Sequence, residues 1–323
     1  MAILVTEKTK VLIQGITGKE GSKVALQMRN YGTRVLAGVT PGKGGQQVHG
    51  IPVYNTIAEA LENHPGINTS FIAVPNFAAF GAMEEAIRSK IPLINVLTEH
   101  IPIADTAKAI ALVKVHSLSL RDHEVAKQSS TSNNKIATSS STPRNDIRIV
   151  GPSSIGIISP GIGKVGSIGG DDPRGVFSKG SVGVISKSGG MASEVSWILT
   201  KNGMGQSTVV GIGGDILVGS SFADLMEDFE RDPQTESLVL FGEIGGTYEE
   251  EAAEMIKKGK FSKKVVAFIS GLFAEKLPQG TKLGHAGAIV YGEKGSYKSK
   301  IESFKSAGVV IAKTPDEIPQ LLT

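Results

Sequence analysis

The chain has 323 residues, 40% of them hydrophobic and 20% charged, which predicts about two domains with real cores rather than a disordered polymer. Lys plus Arg number 34 against 31 Asp plus Glu, a net charge of +3, and that balance gives no field strong enough to recruit nucleic acid or an anionic membrane. The absence of cysteine excludes disulfides, thiolate nucleophiles and Cys-ligated metals, while no apolar run approaches the ~18–20 residues that span a bilayer and Met1–Lys10 carries no export signal, so a soluble, cytoplasmic protein is expected.

Short β-branched runs alternate with segments of helical period along the whole chain. In the first half, strands are predicted over Lys10–Gln14, Arg34–Val39, Thr69–Val74, Pro92–Val96 and Ile147–Val150. Helices are predicted between them over Lys19–Asn30, Ile57–Glu62, Phe77–Ser89 and Asp105–Val115. Residues 128–143 (QSSTSNNKIATSSSTP) have almost no apolar side chains and no period, so His116–Asp146 reads as a solvated excursion. The second half predicts strands over Ser181–Ser186, Ser207–Gly211, Ser237–Phe241 and Lys264–Ile269, with helices over Gly189–Thr200, Ser220–Arg231 and Tyr248–Lys257. Strands separated by helices pair in parallel through right-handed crossovers. Two doubly wound α/β domains are expected, 1–150 and 151–323.

The first strand runs into Gly15-Ile16-Thr17-Gly18-Lys19-Glu20-Gly21 and a helix, a turn whose N–H groups can hold a phosphate at the positive end of the helix dipole. The same glycines also suit tight helix–strand packing. A dinucleotide site wants an acid about 20 residues on to hold the ribose hydroxyls. Here the second strand ends instead in Thr40-Pro41-Gly42-Lys43-Gly44-Gly45, and a lysine among glycines suits an extra phosphate. Coenzyme A, with a pyrophosphate and a 3′-phosphate, fits these residues better than NAD.

Gly-Ile-Thr-Gly-x-x-Gly, Gly-Val-Thr-Pro-Gly-Lys-Gly-Gly and Leu97-Thr98-Glu99 resemble the CoA-binding domain of succinyl-CoA synthetase α-subunits. The resemblance covers nearly the whole chain outside the Ser/Thr-rich stretch. It implies an N-terminal Rossmann-like CoA-binding domain followed by a flavodoxin-like ligase domain. It also implies that Thr17, Gly18, Lys19 and Glu20 lie along the CoA pyrophosphate, that Lys43 contacts CoA, that Val74 and Pro75 belong to the adenine-side loop, and that Leu97, Thr98 and Glu99 line the pantetheine path.

Of six histidines, His285 stands apart because it sits among small residues in Lys282-Leu283-Gly284-His285-Ala286-Gly287-Ala288. Such flanks keep an imidazole reachable, although they do not by themselves separate a nucleophile from a surface histidine. Gly-His-Ala-Gly-Ala resembles the phosphohistidine loop of succinyl-CoA synthetases and ATP-citrate lyases, which implies that His285 carries a phosphoryl group from a nucleotide to a carboxylate. Ser188, Gly189 and Gly190 open a helix after a strand, and the free N–H groups there suit a phosphoryl or carboxylate anion. The resemblance assigns the phosphohistidine to that spot and makes Glu243, in Gly242-Glu243-Ile244-Gly245-Gly246, the carboxylate that holds the histidine ring.

Succinate enzymes carry Pro-Asn-Cys-Pro-Gly where this chain has Pro152-Ser153-Ser154-Ile155-Gly156, and Ser-Gly-Thr-Leu-Thr-Tyr-Glu where it has Ser188 to Glu194. Gly190 and Ser193 in place of threonine and tyrosine remove bulk, which suits a larger acid, and Ser-Gly-Gly-Met matches ATP-citrate lyase. Without a citrate-synthase-like module, the chain most resembles the small subunits of citryl-CoA synthetases. The expectation is therefore citrate, or another di- or tricarboxylate, with succinate and malate as the alternatives. The chain shows no Gly-x-x-x-x-Gly-Lys-[Ser/Thr] loop, so a larger β-type ATP-grasp subunit is expected to bring ATP and Mg²⁺. The apolar stretches Ile216–Phe222 and Ala267–Phe273 suit either an interface or a core. A CoA-binding sensor without chemistry is the alternative of another class.

Overall fold

The computed structural model describes residues 2–129, 147–278, 280–281, 283–290 and 294–323. In the first domain β1 (Lys10–Gln14), α1 (Lys19–Tyr31), β2 (Arg34–Val39), β3 (Gln47–Val48), β4 (Ile51–Tyr54), α2 (Ile57–Asn63), β5 (Thr69–Ile72), α3 (Asn76–Arg88), β6 (Leu93–Val96), α4 (Ile103–Ser129) and β7 (Arg148–Val150) follow in order. Its sheet runs β3-β4-β2-β1-β5-β6-β7, parallel except for the short edge strand β3. Counting the parallel strands in chain order gives 3-2-1-4-5-6, the Rossmann arrangement, whose order reverses between β1 and β5.

The second sheet holds β8 (Gly156–Ser159), β9 (Gly163–Gly166), β10 (Lys179–Ser186), β11 (Gln206–Gly211), β12 (Ser237–Glu243), β13 (Lys264–Ser270) and β14 (Val310–Ile311). Around it lie α5 (Gly189–Lys201), α6 (Phe222–Arg231), α7 (Tyr248–Lys257), α8 (Tyr297–Ser306) and α9 (Ile318–Leu322). The order β14-β13-β12-β10-β11-β8-β9 reads as 2-1-3-4-5 over its parallel strands, the flavodoxin-like winding, with the reversal between β10 and β12. The expected fold class is the observed one.

Central strands are buried on both faces because helices cover both sides of the sheet: every residue of β5, β6 and β11 is buried, polar ones included. Helix α6 shows how the local sequence sets an element. Ser221 and Asp224 form a reciprocal capping box, and Phe222, Leu225, Met226 and Phe229 make one buried stripe. Each large side chain of that stripe contributes about 1.5–3 kcal/mol by leaving water, and loss of the cap costs about 1 kcal/mol.

Several expectations need correction. The antiparallel hairpin β8–β9 was not anticipated; its glycines and short length hide the strand period. With the loop that follows it, the hairpin carries the seam between the sheets: Thr33 Oγ1 donates to Lys164 O at 2.7 Å, Gly166 N–H points at Met28 Sδ, and Gln27 Nε2 donates to Asp171 in that loop at 2.7 Å. The helix expected to stop at Val115 continues to Ser129, so the solvated excursion does not start at His116; residues 130–146 of that stretch lie outside the described residues. Helix α6 starts at Phe222 rather than Ser220, and β5 ends at Ile72. Val218 and Phe222 are buried, as are Ala267 and Ile269, whereas Ile216, Leu272 and Phe273 are 48%, 58% and 61% exposed. The apolar stretches thus divide between core and surface. Among the described residues no helix is long and apolar enough to cross a membrane.

Candidate active site

The carboxyl ends of both sheets carry the residues singled out above. In the first domain, Gly15 follows β1 in a left-handed conformation (φ 85°), and a Cβ there would meet Ala73 O at 2.4 Å. This close approach packs the β1 turn against the β5 turn at the reversal point. Gly18 stands at the N-cap of α1 and has no side chain to cap it, so the N–H groups of the first turn are left for a ligand. Gly18, Lys19 and Glu20 are exposed there, with Thr17 half-buried beside them, its Oγ1 3.3 Å from Thr40 Oγ1.

The Lys43 loop is set by Asn55, whose Oδ1 accepts from Gly42 N at 2.9 Å and Gly44 N at 3.0 Å and leaves the Lys43 side chain exposed. Thr98 Oγ1 donates to Val74 O at 2.7 Å, tying the loop after β6 to the loop after β5. Leu97 and Val74 are half-buried, while Pro75 and Glu99 are exposed. Of the ten residues expected to meet CoA, Lys19 and Glu20 therefore open α1 and the other eight sit on the loops after β1, β2, β5 and β6.

In the second domain, β12 ends at Glu243, which is 9% exposed. Its Oε2 lies 2.7 Å from His285 Nδ1. A carboxylate only accepts, so Nδ1–H donates and the lone pair is left on Nε2. The imidazole, 41% exposed, also packs on Gly214 after β11, where a Cβ would lie 2.5 Å from its Cγ and Nδ1. Because β10 lies between β12 and β11, a ring that touches both flanking loops spans the end of β10, where α5 begins. Ser188 caps that helix weakly, its Oγ accepting from Met191 N at 3.4 Å. Gly189 and Ser193 are half-buried and Gly190 is exposed, with no atom within 4 Å of a Cβ placed there.

The hydrogen bond to Glu243 raises the His285 pKa above 6.5; burial opposes it, the charges of Glu243 and Asp215 add to it, and Lys187 subtracts. The loop is pinned by Gly287 N donating to Gly214 O at 2.8 Å and Ala288 N to His285 O at 3.1 Å. Gly245 is left-handed (φ 86°), and a Cβ on it would sit 1.9 Å from Gly287 O; only glycine admits the histidine loop this close to β12. Lys282, part of the same motif, lies outside the described residues.

The two halves of the site meet at a cavity of about 200 Å³. It is lined by His100 to Ile103 and Thr106 on the first domain and by Asp215 to Leu217 and Ala286 on the second, so it joins the residues after Glu99 to the neighbour of His285. Sequence reasoning missed Lys187, Glu249 and Lys300, whose buried charges lie behind Glu243. Nothing in an EEE run or a lone lysine marks burial. Gly214, in the turn after β11, carried no assignment from the sequence, yet it seats the imidazole.

Residues 6–100 match the family of CoA binding domains and residues 185–310 the CoA-ligase family. A chain built of these domains is a CoA-binding subunit of an ADP-forming CoA ligase, which makes it part of an enzyme rather than a CoA sensor. It belongs to the family of succinate–CoA ligase α subunits. It is 44% identical over 318 residues to the succinate–CoA ligase [ADP-forming] subunit alpha of Aquifex aeolicus, covering 98% of this chain and 92% of that one. The subunit alpha 2 of Archaeoglobus fulgidus is 41% identical over 322 residues, covering 100% and 99%. In three dimensions the chain superimposes on ATP citrate lyase from Methanothrix soehngenii, solved with citrate and coenzyme A, with a TM-score of 0.83 at 23% identity, over 99% of this chain and 50% of the other. That likeness is one of fold.

Proposed function

We propose that His285 carries a phosphoryl group between a nucleoside triphosphate and a carboxylic acid, and that the activated acid is then joined to CoA bound on the first domain. The reading rests on one observation above the others, the 2.7 Å contact between His285 Nδ1 and Glu243 Oε2 over the start of α5. With Nδ1–H held by the carboxylate, Nε2 attacks the γ-phosphorus and the bond to the departing diphosphate oxygen breaks. The acid's carboxylate oxygen next attacks that phosphorus, the P–N bond breaks, and an acyl phosphate results. The CoA sulfur takes the acyl carbon, phosphate leaves, and the thiol proton goes to solvent or phosphate. The first-turn N–H groups at Ser188 to Gly190 suit the negative phosphoryl oxygens, and the position of Thr17 to Glu20, Lys43, Val74, Pro75 and Leu97 to Glu99 along the carboxyl edge of the first sheet supports their role in holding CoA.

A larger β-type ATP-grasp subunit would supply the ATP and Mg²⁺; relatives named as alpha subunits support this. For the acid, relatives 40–44% identical over nearly the whole chain and named for succinate favour succinate. A specific feature favours citrate as the second reading: the open surface at Gly190 and the small Ser193, where α5 could take a third carboxylate. Mixed with its large subunit, ATP and Mg²⁺, the protein should gain acid-labile, base-stable phosphate that His285→Ala abolishes; persistence of that label in His285→Ala rejects the relay. ADP release with CoA and either succinate or citrate then decides the acid by the faster of the two.

A further inference from the structure

Beneath the His285–Glu243 pair lies a charge cluster that the phosphoryl route does not itself use. Glu249, in the first turn of α7, has no exposed surface. Its Oε1 accepts the Glu243 backbone N–H at 3.0 Å and sits 2.8 Å from Lys187 Nζ, and its Oε2 sits 2.5 Å from Lys300 Nζ. Lys300, equally buried, donates further to Gly246 O at 3.0 Å and Glu250 Oε2 at 2.9 Å. Lys187 reaches Gly245 O at 3.4 Å.

Every backbone group gripped by these side chains belongs to Glu243–Gly246. That segment aims the Glu243 carboxylate and receives the His285 loop at Gly245. The three anchors come from the β10–α5 junction, α7 and α8, so the cluster ties β12 to the residue just before Ser188. Burial alone would push the Glu249 carboxyl up, but Lys187 and Lys300 outweigh it and hold the group below its ordinary range, charged. Apolar side chains of the same volume often stabilise a fold as well as buried ions do. What ions add here is directional grip on N–H and C=O groups in a segment that must not drift.

We propose that Glu249 and Lys300, with Lys187, are positioning residues that fix the Glu243 carboxylate against His285 and lock both to the start of α5. The proposal rests on the phosphoryl role of His285, and its test separates the two. Among the described residues the charged groups that act on His285 are Glu243, Asp215 and Lys187. Removing a nearby cation, by charge alone, raises the pKa of the histidine, whereas displacing Glu243 lowers it. The sign therefore reads the role.

The full chain, labelled at its histidines, is titrated by NMR, with His285 assigned by the resonance missing from His285→Ala. Lys300→Met should lower the His285 midpoint by about one pH unit, and with the large subunit, ATP and Mg²⁺ it should slow single-turnover phosphorylation about 10- to 100-fold while leaving the KM for CoA unchanged. A midpoint equal to or above that of the wild type overturns the proposal. Should Lys300→Met lose its cooperative melt, Glu249→Gln/Lys300→Met, which removes one buried charge of each sign, takes its place: a lowered midpoint supports the proposal and an unchanged one rejects it. If the wild-type chain itself gains no phosphate on His285, it is the relay that fails, whatever the titrations give.

Discussion

Gly214 and His285 are in such close contact that the hydrogen on the Gly214 α-carbon occupies the only space a side chain could have, since a Cβ there would stand 2.5 Å from the imidazole Cγ and Nδ1. The ring is thus located by two neighbours at once, a carboxylate on β12 and a bare backbone after β11. A hydrogen bond alone would leave it free to swing about that bond.

Gly214→Ala tests this seat. The glycine is buried and its φ is not among the left-handed ones, so alanine brings a steric conflict with the ring rather than backbone strain. The easiest relief is movement of the half-exposed imidazole off Glu243. We expect single-turnover phosphorylation to fall about 100-fold, the scale of an ångström misplacement of a reacting group, with the melting temperature nearly unchanged. Wild-type phosphorylation in Gly214→Ala would show that the ring is not seated there.

The His285–Glu243 pair also sets a pH dependence. Attack requires neutral imidazole, and Glu243 raises the pKa of His285 above 6.5, so phosphorylation should rise with pH with a midpoint above that value. In Glu243→Gln the midpoint should move down in pH, and the plateau should drop about 10- to 100-fold because the ring is no longer oriented. The linked stability has the opposite sense. A raised folded pKa contributes stability that is complete below the unfolded value and is lost as pH rises through the folded one, so the gap in urea midpoint between wild type and Glu243→Gln should narrow from pH 6 to pH 8.5. A gap that widens over that range contradicts the pairing.

Much of this arrangement was legible because its signals are local. Alternation of β-branched runs with helical periods gave two doubly wound α/β domains, the family resemblance implied which winding each has, and β1, β2 and α7 fall on the expected residues. Glycines beside Thr17, Lys43, Ser188 and His285 marked segments that lie beyond the carboxyl ends of strands. The β8–β9 hairpin stayed hidden because Gly156, Gly163 and Gly166 dilute any alternation. Helix α4 was cut short because polar residues after Val115 resemble a loop when helix propensity is discounted. The Glu249–Lys300 pair was invisible for a different reason: Glu and Lys are almost never fully buried, and only tertiary packing brings residues 51 positions apart into contact.

Lys164 offers a second pH-dependent measurement, away from the chemistry. It is buried at the seam, its Nζ donating to Ile168 O at 3.0 Å and Gly170 O at 2.6 Å. Desolvation lowers its pKa from 10.5 to about 8, with Asp171 opposing. Between those values the unfolded chain holds a proton that the folded one has released, so this residue's contribution to stability rises with pH. Below about pH 8 its full cost, roughly 3 kcal/mol, is present. The stability of Lys164→Met relative to wild type should therefore decline by roughly 2 kcal/mol between pH 7.5 and 10 in urea unfolding. A difference that does not vary with pH would place the lysine's titration elsewhere.

The acid can be probed at a position where the fold is indifferent. Gly190 is exposed in the first turn of α5, and a Cβ there meets nothing within 4 Å. Gly190→Thr should leave melting unchanged or slightly raised, since glycine is the weaker helix former. The added methyl and hydroxyl intrude on whatever docks at the helix start. If a tricarboxylate binds there, kcat/KM for citrate should fall about 10-fold or more while that for succinate moves little, in keeping with the 10- to 200-fold effect of one misplaced group in a pocket. If the natural acid is succinate, the variant should keep succinate activity and the wild type should show little with citrate. Equal losses with both acids, accompanied by slower phosphorylation of His285, would instead mark the α5 start as the seat of the phosphoryl group alone, with the acid bound on another surface.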